Sequence, residues 1–228
     1  MIGTRREQDE EMERGWLAGF FEACEMASHT MADAAVVRRW SDPSALRDLT
    51  VGGIAGHLYA AIRCLEVALD EDLPPSRRVV ALPEFYGLNR IDELDGIDAG
   101  WHPLLRDEAE QGAADGPQAV AERLAGVVSR LTARLPSEPP DRLVPVSTIH
   151  NAATRLDAYV ATRVVELVVH SDDLAASVDL EPLSIPENAA SSAIEVFVEM
   201  ARHRTGDLGV IRAFARGERS VADALRVL

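Results

Sequence analysis

The sequence predicts an all-α protein, an antiparallel four-helix bundle with additional short C-terminal helices. Its composition is 47% hydrophobic but only 5% aromatic, and a preponderance of Ala, Val and Leu favours packed helices over a β-sandwich. Apolar residues recur at helical spacing through several long segments. Breaks rich in Pro and Gly separate these segments, as in antiparallel helices of a bundle. Periodicity also leaves open an irregular all-α domain.

The first half of the chain contains two predicted helices and a long connection. The first helix spans residues 8–39 and ends at "WSDPS", because Pro43 disfavours helix at the residue before it. Thr50 is the predicted N-cap of a second helix that reaches residue 70. Residues 76–100 form a connection rich in Pro, Gly and Asp. Connections of this length are more often functional than idle, so we expect it to border or cover a site.

The second half contains three further helices and a tail. A third helix covers residues 103–135 and is interrupted near "AADGP", where Pro117 suits the first position of its second half. The fourth and fifth helices cover residues 154–177 and 186–204. The tail is predicted to form two short helices around Gly217. We therefore expect one helical domain over residues 1–204, with residues 205–228 as a helical extension packed on it.

Charge and cysteine content exclude several classes of partner and location. The net charge of −15 argues against nucleic acid, which requires a basic surface, and against anionic lipid. Two cysteines, Cys24 and Cys64, are too few for a disulfide framework and indicate a reducing compartment. The charged start resembles no signal peptide, and no apolar run is long enough to span a membrane. We expect a cytoplasmic protein.

The fourth helix carries a polar stripe although it is apolar almost all round. A helix of this type is buried, yet one narrow arc contains Tyr159, Arg163, Glu166, His170, Asp173 and Ser177. A buried carboxylate needs a cation, so Glu166 either pairs with Arg163 or shares a metal ion with His170. The second interpretation is open because residues four positions apart stand side by side on a helix.

The second helix offers a third donor. His57 lies on a face of small residues that leaves room for an ion, water or ligand: Gly53, Ala60, Ala61 and Cys64. A lone histidine of this kind can equally be a packed or surface residue. Together with Glu166 and His170 it makes the three-ligand set of an open site. Imidazole and carboxylate suit Zn²⁺, Ni²⁺ or Fe²⁺ rather than Ca²⁺ or Mg²⁺, with a fourth position for water or substrate.

Two interpretations are open for each of four neighbouring residues. Arg163 could anchor a substrate carboxylate or pair with Glu166 or Asp173. Asp173 could accept a hydrogen bond from the free nitrogen of a liganding histidine, or be an ordinary polar residue in the last turn. The Cys64 sulfur could be a ligand or a small buried hydrophobe. Tyr159 could offer its hydroxyl to the cleft or fill space.

Three stretches resemble a known family. "LRDLTVGGIAGHLYAAI" is similar to the second-helix motif of mycothiol-dependent maleylpyruvate isomerase-type proteins, whose bundle belongs to the DinB-like superfamily. "YVATRVVELVVHSDDLAASV" resembles the second motif of that family, and "GVIRAFARGER" a common ending of its actinobacterial branch. The resemblance implies that His57, Glu166 and His170 are the metal ligands. It also implies that the metal is zinc and that a thiol such as mycothiol, or water, binds the open position.

The implied function is that of a divalent-metal-dependent enzyme. It would use a metal-bound low-molecular-weight thiol or water in transfer, isomerisation or hydrolysis of a small molecule, with Arg163 as a substrate anchor. The isomerase proper has a second domain that supplies a catalytic Arg, whereas only residues 205–228 follow the fifth predicted helix. The maleylpyruvate reaction itself is therefore not implied. Family bundles are often dimeric, so a homodimer is one expectation. The alternative function is a non-catalytic metal-binding bundle that acts as a ligand-binding or stress-related protein.

Overall fold

The computed structural model describes residues 5–89, 102–146 and 149–215, and the chain is mostly helical there. The helices are α1 Arg5–Ala32, α2 Ala34–Arg38, α3 Val51–Asp70, α4 Leu82–Asn89, α5 His102–Ala113, α6 Pro117–Arg134, α7 Leu156–Ser177 and α8 Glu187–Ala215. This confirms the helical fold class. Within the described ranges, no helix is both long enough and apolar enough to cross a bilayer.

A small three-stranded sheet departs from the all-α prediction. Its strands are β1 Arg78–Val79, β2 Leu143–Pro145 and β3 Ala152–Arg155. The central strand β3 pairs in parallel with β1 and antiparallel with β2. Strands of two to four residues are too short to show the alternation by which a strand is recognised in a sequence. They fall in stretches that were predicted as connections or as the start of the fourth helix.

The long first helix is in fact two helices. Helix α1 ends at Ala32, and Asp33 has the extended backbone of an N-cap, with φ −59° and ψ 137°. The Asp33 side chain accepts a hydrogen bond from the backbone nitrogen of Ala35 at 2.7 Å. The prediction of one continuous helix over residues 8–39 is therefore wrong. An aspartate that can cap a new first turn competes with helix continuation.

The break inside the third predicted helix is confirmed. Gly116 has a positive φ of 87°, which only glycine adopts without strain, and Pro117 begins α6. A similar interruption divides α8, where Gly206 has φ 73° and ψ 164°. This agrees with the predicted end of the fifth helix near residue 204. The second tail helix expected around Gly217 lies outside the described residues.

We expect Gly206→Ala to lower the free energy of unfolding by about 1–3 kcal/mol, because its backbone conformation is nearly exclusive to glycine. No atom lies within 4 Å of a Cβ built at this position, so the cost comes from the backbone alone. Chemical denaturation measures it. Gly15→Ala is the matched control, since Gly15 is exposed within α1 and a Cβ built there also has no atom within 4 Å. Equal stability of the two variants would contradict the expectation.

Helices α1, α3, α6 and α7 contribute many of the side chains of the core. Helix α1 contacts α6 and α7, and α3 contacts the same two helices. Their inward faces supply fully buried side chains, among them Phe20, Leu58, Leu65, Leu124 and Leu167. These contacts hold α3 and α7 side by side, so that residues far apart in the sequence meet on their facing surfaces.

Helix α5 packs closely against two glycines of α3, Gly53 and Gly56. A Cβ at Gly56 would clash with the backbone carbonyl oxygen of Ala109 on α5, and one at Gly53 would meet the carboxylate of Glu110. Glu110 also accepts hydrogen bonds from the backbone nitrogen and hydroxyl of Thr50, at 2.7 and 2.9 Å. The glycines therefore allow α5 to approach α3 closely. The expectation that Gly53 leaves ligand space beside His57 is wrong.

The described part of the connection at residues 76–100 has regular secondary structure. It contains β1 and α4, and the ring of Phe85 on α4 lies 6.0 Å from that of Tyr159 on α7 in an edge-on arrangement. Tyr159 belongs to the polar stripe, so the described part of the connection borders one end of that stripe. Residues 90–101 lie outside the described part of the chain.

Candidate metal centre

Helices α3 and α7 bring the three predicted donors together. His57 projects from α3, while Glu166 and His170 project from consecutive turns of α7. The rest of α7 is anchored by buried aliphatic residues, including Val160, Val164, Leu167 and Leu174. The three donor side chains retain 21–24% of their accessible surface. They therefore lie at the edge of the core, where a small molecule can reach them.

The spacing of the donor atoms matches a metal site. Oε2 of Glu166 lies 3.2 Å from Nε2 of His57 and 3.4 Å from Nε2 of His170. Ligand atoms about 2.0–2.2 Å from a tetrahedral ion are separated by about 3.3 Å. One donor atom from each residue lies within 4.8 Å of the other two. The geometry therefore fits a divalent ion, and the same distances suit hydrogen bonds between these groups when no ion is bound.

The electrostatics of the cluster favour an ionised Glu166. Burial alone would raise its pKa, but hydrogen bonds with His170 and His57 and the positive charge of Arg163 hold the pKa of Glu166 well below its usual value. Burial alone would likewise lower the pKa of His170. Its hydrogen bonds with Asp173 and Glu166, and the charges of both carboxylates, raise that pKa to about 9. An ionised carboxylate oxygen between two imidazoles favours the binding of a cation.

The carboxylate of Asp173 contacts the ring nitrogen of His170 that does not face Glu166. Nδ1 of His170 lies 2.9 Å from Oδ2 of Asp173, three residues further along α7. The hydroxyl of Ser177 donates to the backbone oxygen of Asp173 at 2.6 Å and accepts from the backbone nitrogen of Ala45 at 2.9 Å. Of the two interpretations of Asp173, the structure shows the hydrogen-bonded one. The last turns of α7 are thus tied to the loop before α3.

Arg163 lies in a separate polar cluster beside the donors and is only 9% exposed. Its Nη1 donates to Sγ of Cys64 at 3.3 Å, and its guanidinium carbon lies 5.1 Å from the centre of the Tyr159 ring. The Tyr159 hydroxyl also donates to Cys64 Sγ, at 3.4 Å, and burial raises the pKa of Tyr159. Among the described residues, Cys64 is not part of the donor group of His57, Glu166 and His170. Its sulfur faces Arg163 and Tyr159 instead.

Sequence reasoning missed two neighbours of this cluster. The hydroxyl of Thr162 accepts a hydrogen bond from Nε of Arg163 at 3.1 Å, and Phe85 packs against Tyr159. The sequence does not single out Thr162 as a site residue, because a threonine inside an apolar helix can have many structural roles. The "PEFYG" segment did carry one, since aromatic residues are unusual in a connection rich in Pro, Gly and Asp.

Comparison with protein families gives a match over a large part of the chain. Residues 21–175, more than half of the chain, match the family described as the mycothiol maleylpyruvate isomerase N-terminal domain. The matched region includes all of α3 and nearly all of α7, and therefore all three donors. Comparisons with curated proteins and with solved structures give no significant match.

Proposed function

Because the chain belongs to the mycothiol maleylpyruvate isomerase N-terminal domain family, in the DinB-like superfamily, we propose that it is a divalent-metal-dependent enzyme. The proposed reaction is transfer, isomerisation or hydrolysis of a small molecule, with a low-molecular-weight thiol such as mycothiol, or water, as the nucleophile. Zinc is the proposed metal, with nickel or iron as alternatives. The arrangement of His57, Glu166 and His170 is the observation that carries the proposal.

The three donors suit this task in number and charge. Two neutral imidazoles and one carboxylate bind a divalent ion while leaving a net positive charge and one open position. An ion in such a site lowers the pKa of a thiol or water and so supplies a nucleophile at neutral pH. His57 comes from a different helix than Glu166 and His170. Helices α3 and α7 would therefore hold the ion jointly.

Arg163 is the proposed anchor for an anionic substrate group. It lies one turn before Glu166 on α7, and its positive charge already lowers the pKa of that carboxyl. The guanidinium is buried against Tyr159 and Cys64, which fixes its orientation. A fixed guanidinium recognises a carboxylate by paired hydrogen bonds.

The finer points of architecture and location are also proposals. The mutual contacts of α1, α3, α6 and α7 support an antiparallel four-helix bundle of DinB-like type, and a homodimer is the proposed assembly. Cys24 and Cys64 are both free thiols, which supports a reducing, cytoplasmic location. Burial raises the pKa of Cys24, which disfavours the reactive thiolate form.

Metal analysis of the purified protein tests the proposal first. We expect about one equivalent of bound transition metal per chain after supplementation, since one three-donor set holds one ion. Loss of mycothiol in the presence of small electrophiles, followed by mass spectrometry of the product, then tests the reaction. Metal binding without turnover would support a non-catalytic binding protein. Absence of any bound transition metal would refute the metal centre itself.

A further inference from the structure

We propose that Asp173 is a positioning residue that orients the imidazole of His170 for metal binding. The inference rests on the proposed metal centre and concerns a residue outside its three-donor set. A histidine ring can present either of its two nitrogens, and rotation about its terminal side-chain bond moves each nitrogen to the place of a ring carbon. Something must therefore decide which nitrogen faces Glu166 and His57.

The contact between His170 and Asp173 decides it. A carboxylate can only accept hydrogen bonds, so the 2.9 Å contact places a proton on Nδ1 of His170. In the neutral ring, Nε2 is then the nitrogen with a free lone pair. That atom lies 3.4 Å from Oε2 of Glu166. Asp173 thus holds the ring in the tautomer and the orientation that a metal ligand needs.

The backbone of Asp173 is fixed by its surroundings. Its side chain is 27% exposed, and its backbone oxygen accepts a hydrogen bond from the Ser177 hydroxyl, which also binds the backbone nitrogen of Ala45. These contacts fix the backbone from which the Asp173 carboxylate reaches Nδ1 of His170. A carboxylate that accepts a hydrogen bond from one imidazole nitrogen also makes the other nitrogen more basic, which strengthens metal binding.

The adjacent Asp172 provides a matched control. It has the same charge, lies on the same helix turn and is exposed to solvent. Replacing either aspartate by Ala removes the same charge at almost the same distance along α7. A general electrostatic effect on the metal would appear in both variants, whereas loss of the hydrogen bond to His170 appears in one.

The experiment measures Zn²⁺ affinity by competition with a chelator for the wild type, Asp172→Ala, Asp173→Ala and Asp173→Asn. We expect Asp173→Ala to bind Zn²⁺ about 10–100-fold more weakly than the wild type, the range for loss of a partner behind a liganding histidine. Asp173→Asn should lose less, because its amide oxygen can still accept from Nδ1. Asp172→Ala should match the wild type.

Absorption of the Co²⁺-substituted proteins gives a readout that a general loss of stability would not move. The Co²⁺ bands should shift in Asp173→Ala and stay unchanged in Asp172→Ala, while circular dichroism of the metal-free variants shows that each is folded. Equal Zn²⁺ affinity of Asp173→Ala and Asp172→Ala would overturn the proposed role of Asp173 but not the proposed metal centre. A wild-type protein that binds neither ion would overturn both this role and the proposed metal centre.

Discussion

Replacing Glu166 by Gln is expected to weaken Zn²⁺ binding by more than about 100-fold, beyond the effect of a change behind a ligand. Glutamine has nearly the same shape but no negative charge. The wild-type carboxylate lies 3.2 and 3.4 Å from the two imidazoles and is the anionic member of the donor set. Without it, two neutral nitrogens remain, and the amide would present either a weak oxygen donor or an NH₂ group to the ion.

Isothermal titration calorimetry of the metal-free protein with Zn²⁺ measures this loss of affinity. The control is Asp172→Asn, which makes the same change of charge on the same helix at an exposed position. Circular dichroism should show that both variants retain their helices, because Glu166 makes its contacts at the edge of the core. Wild-type Zn²⁺ affinity in Glu166→Gln would remove this residue from the ligand set.

Replacing Gly56 by Val is expected to lower the free energy of unfolding by about 3 kcal/mol, the upper part of the usual range for overpacking. A Cβ at this position would clash with the carbonyl oxygen of Ala109. Backbone atoms cannot rotate aside as the end of a side chain can. Helix α5 must therefore move away from α3, and the hydrogen bonds from Thr50 to Glu110 would lengthen with it.

Denaturant unfolding of metal-free protein tests this expectation without interference from bound ions. Gly126→Val on α6 is the control, because a Cβ there meets only the end of the Arg130 side chain, at 3.4 Å. Both substitutions place the same β-branched residue within a helix, so their difference isolates the helix contact. If Gly56→Val were as stable as Gly126→Val, the close approach of α5 to α3 would not matter for stability.

Helix ends marked by Pro or Gly could be predicted from the sequence, because these residues act on their own backbone. Gly116 and Pro117 interrupt the third predicted helix as expected. Asp33 carried a comparable signal as an N-cap, but the apolar periodicity on both sides obscured it. The short strands could not be predicted, since pairing of Arg78 with Ala152 depends on partners that are remote in the sequence.

The same distinction applies to the site. The proximity of Glu166 and His170 follows from helix geometry, and the contact of His170 with Asp173 has the same local origin. His57 was proposed from its small neighbours and from the family resemblance. The contacts of Arg163 and Tyr159 with Cys64, which join residues 99 and 95 positions apart, had no local signal. They exist only because α3 and α7 lie side by side.

The approach of His57 to Glu166 also bears on how the chain folds. These two residues are 109 positions apart, so their contact closes a long loop of the chain. Contacts between distant residues carry a large entropic cost and slow folding when they are many. The two halves of the site can meet only when α3 and α7 have docked. Metal binding during refolding would therefore report completion of the tertiary structure rather than formation of individual helices.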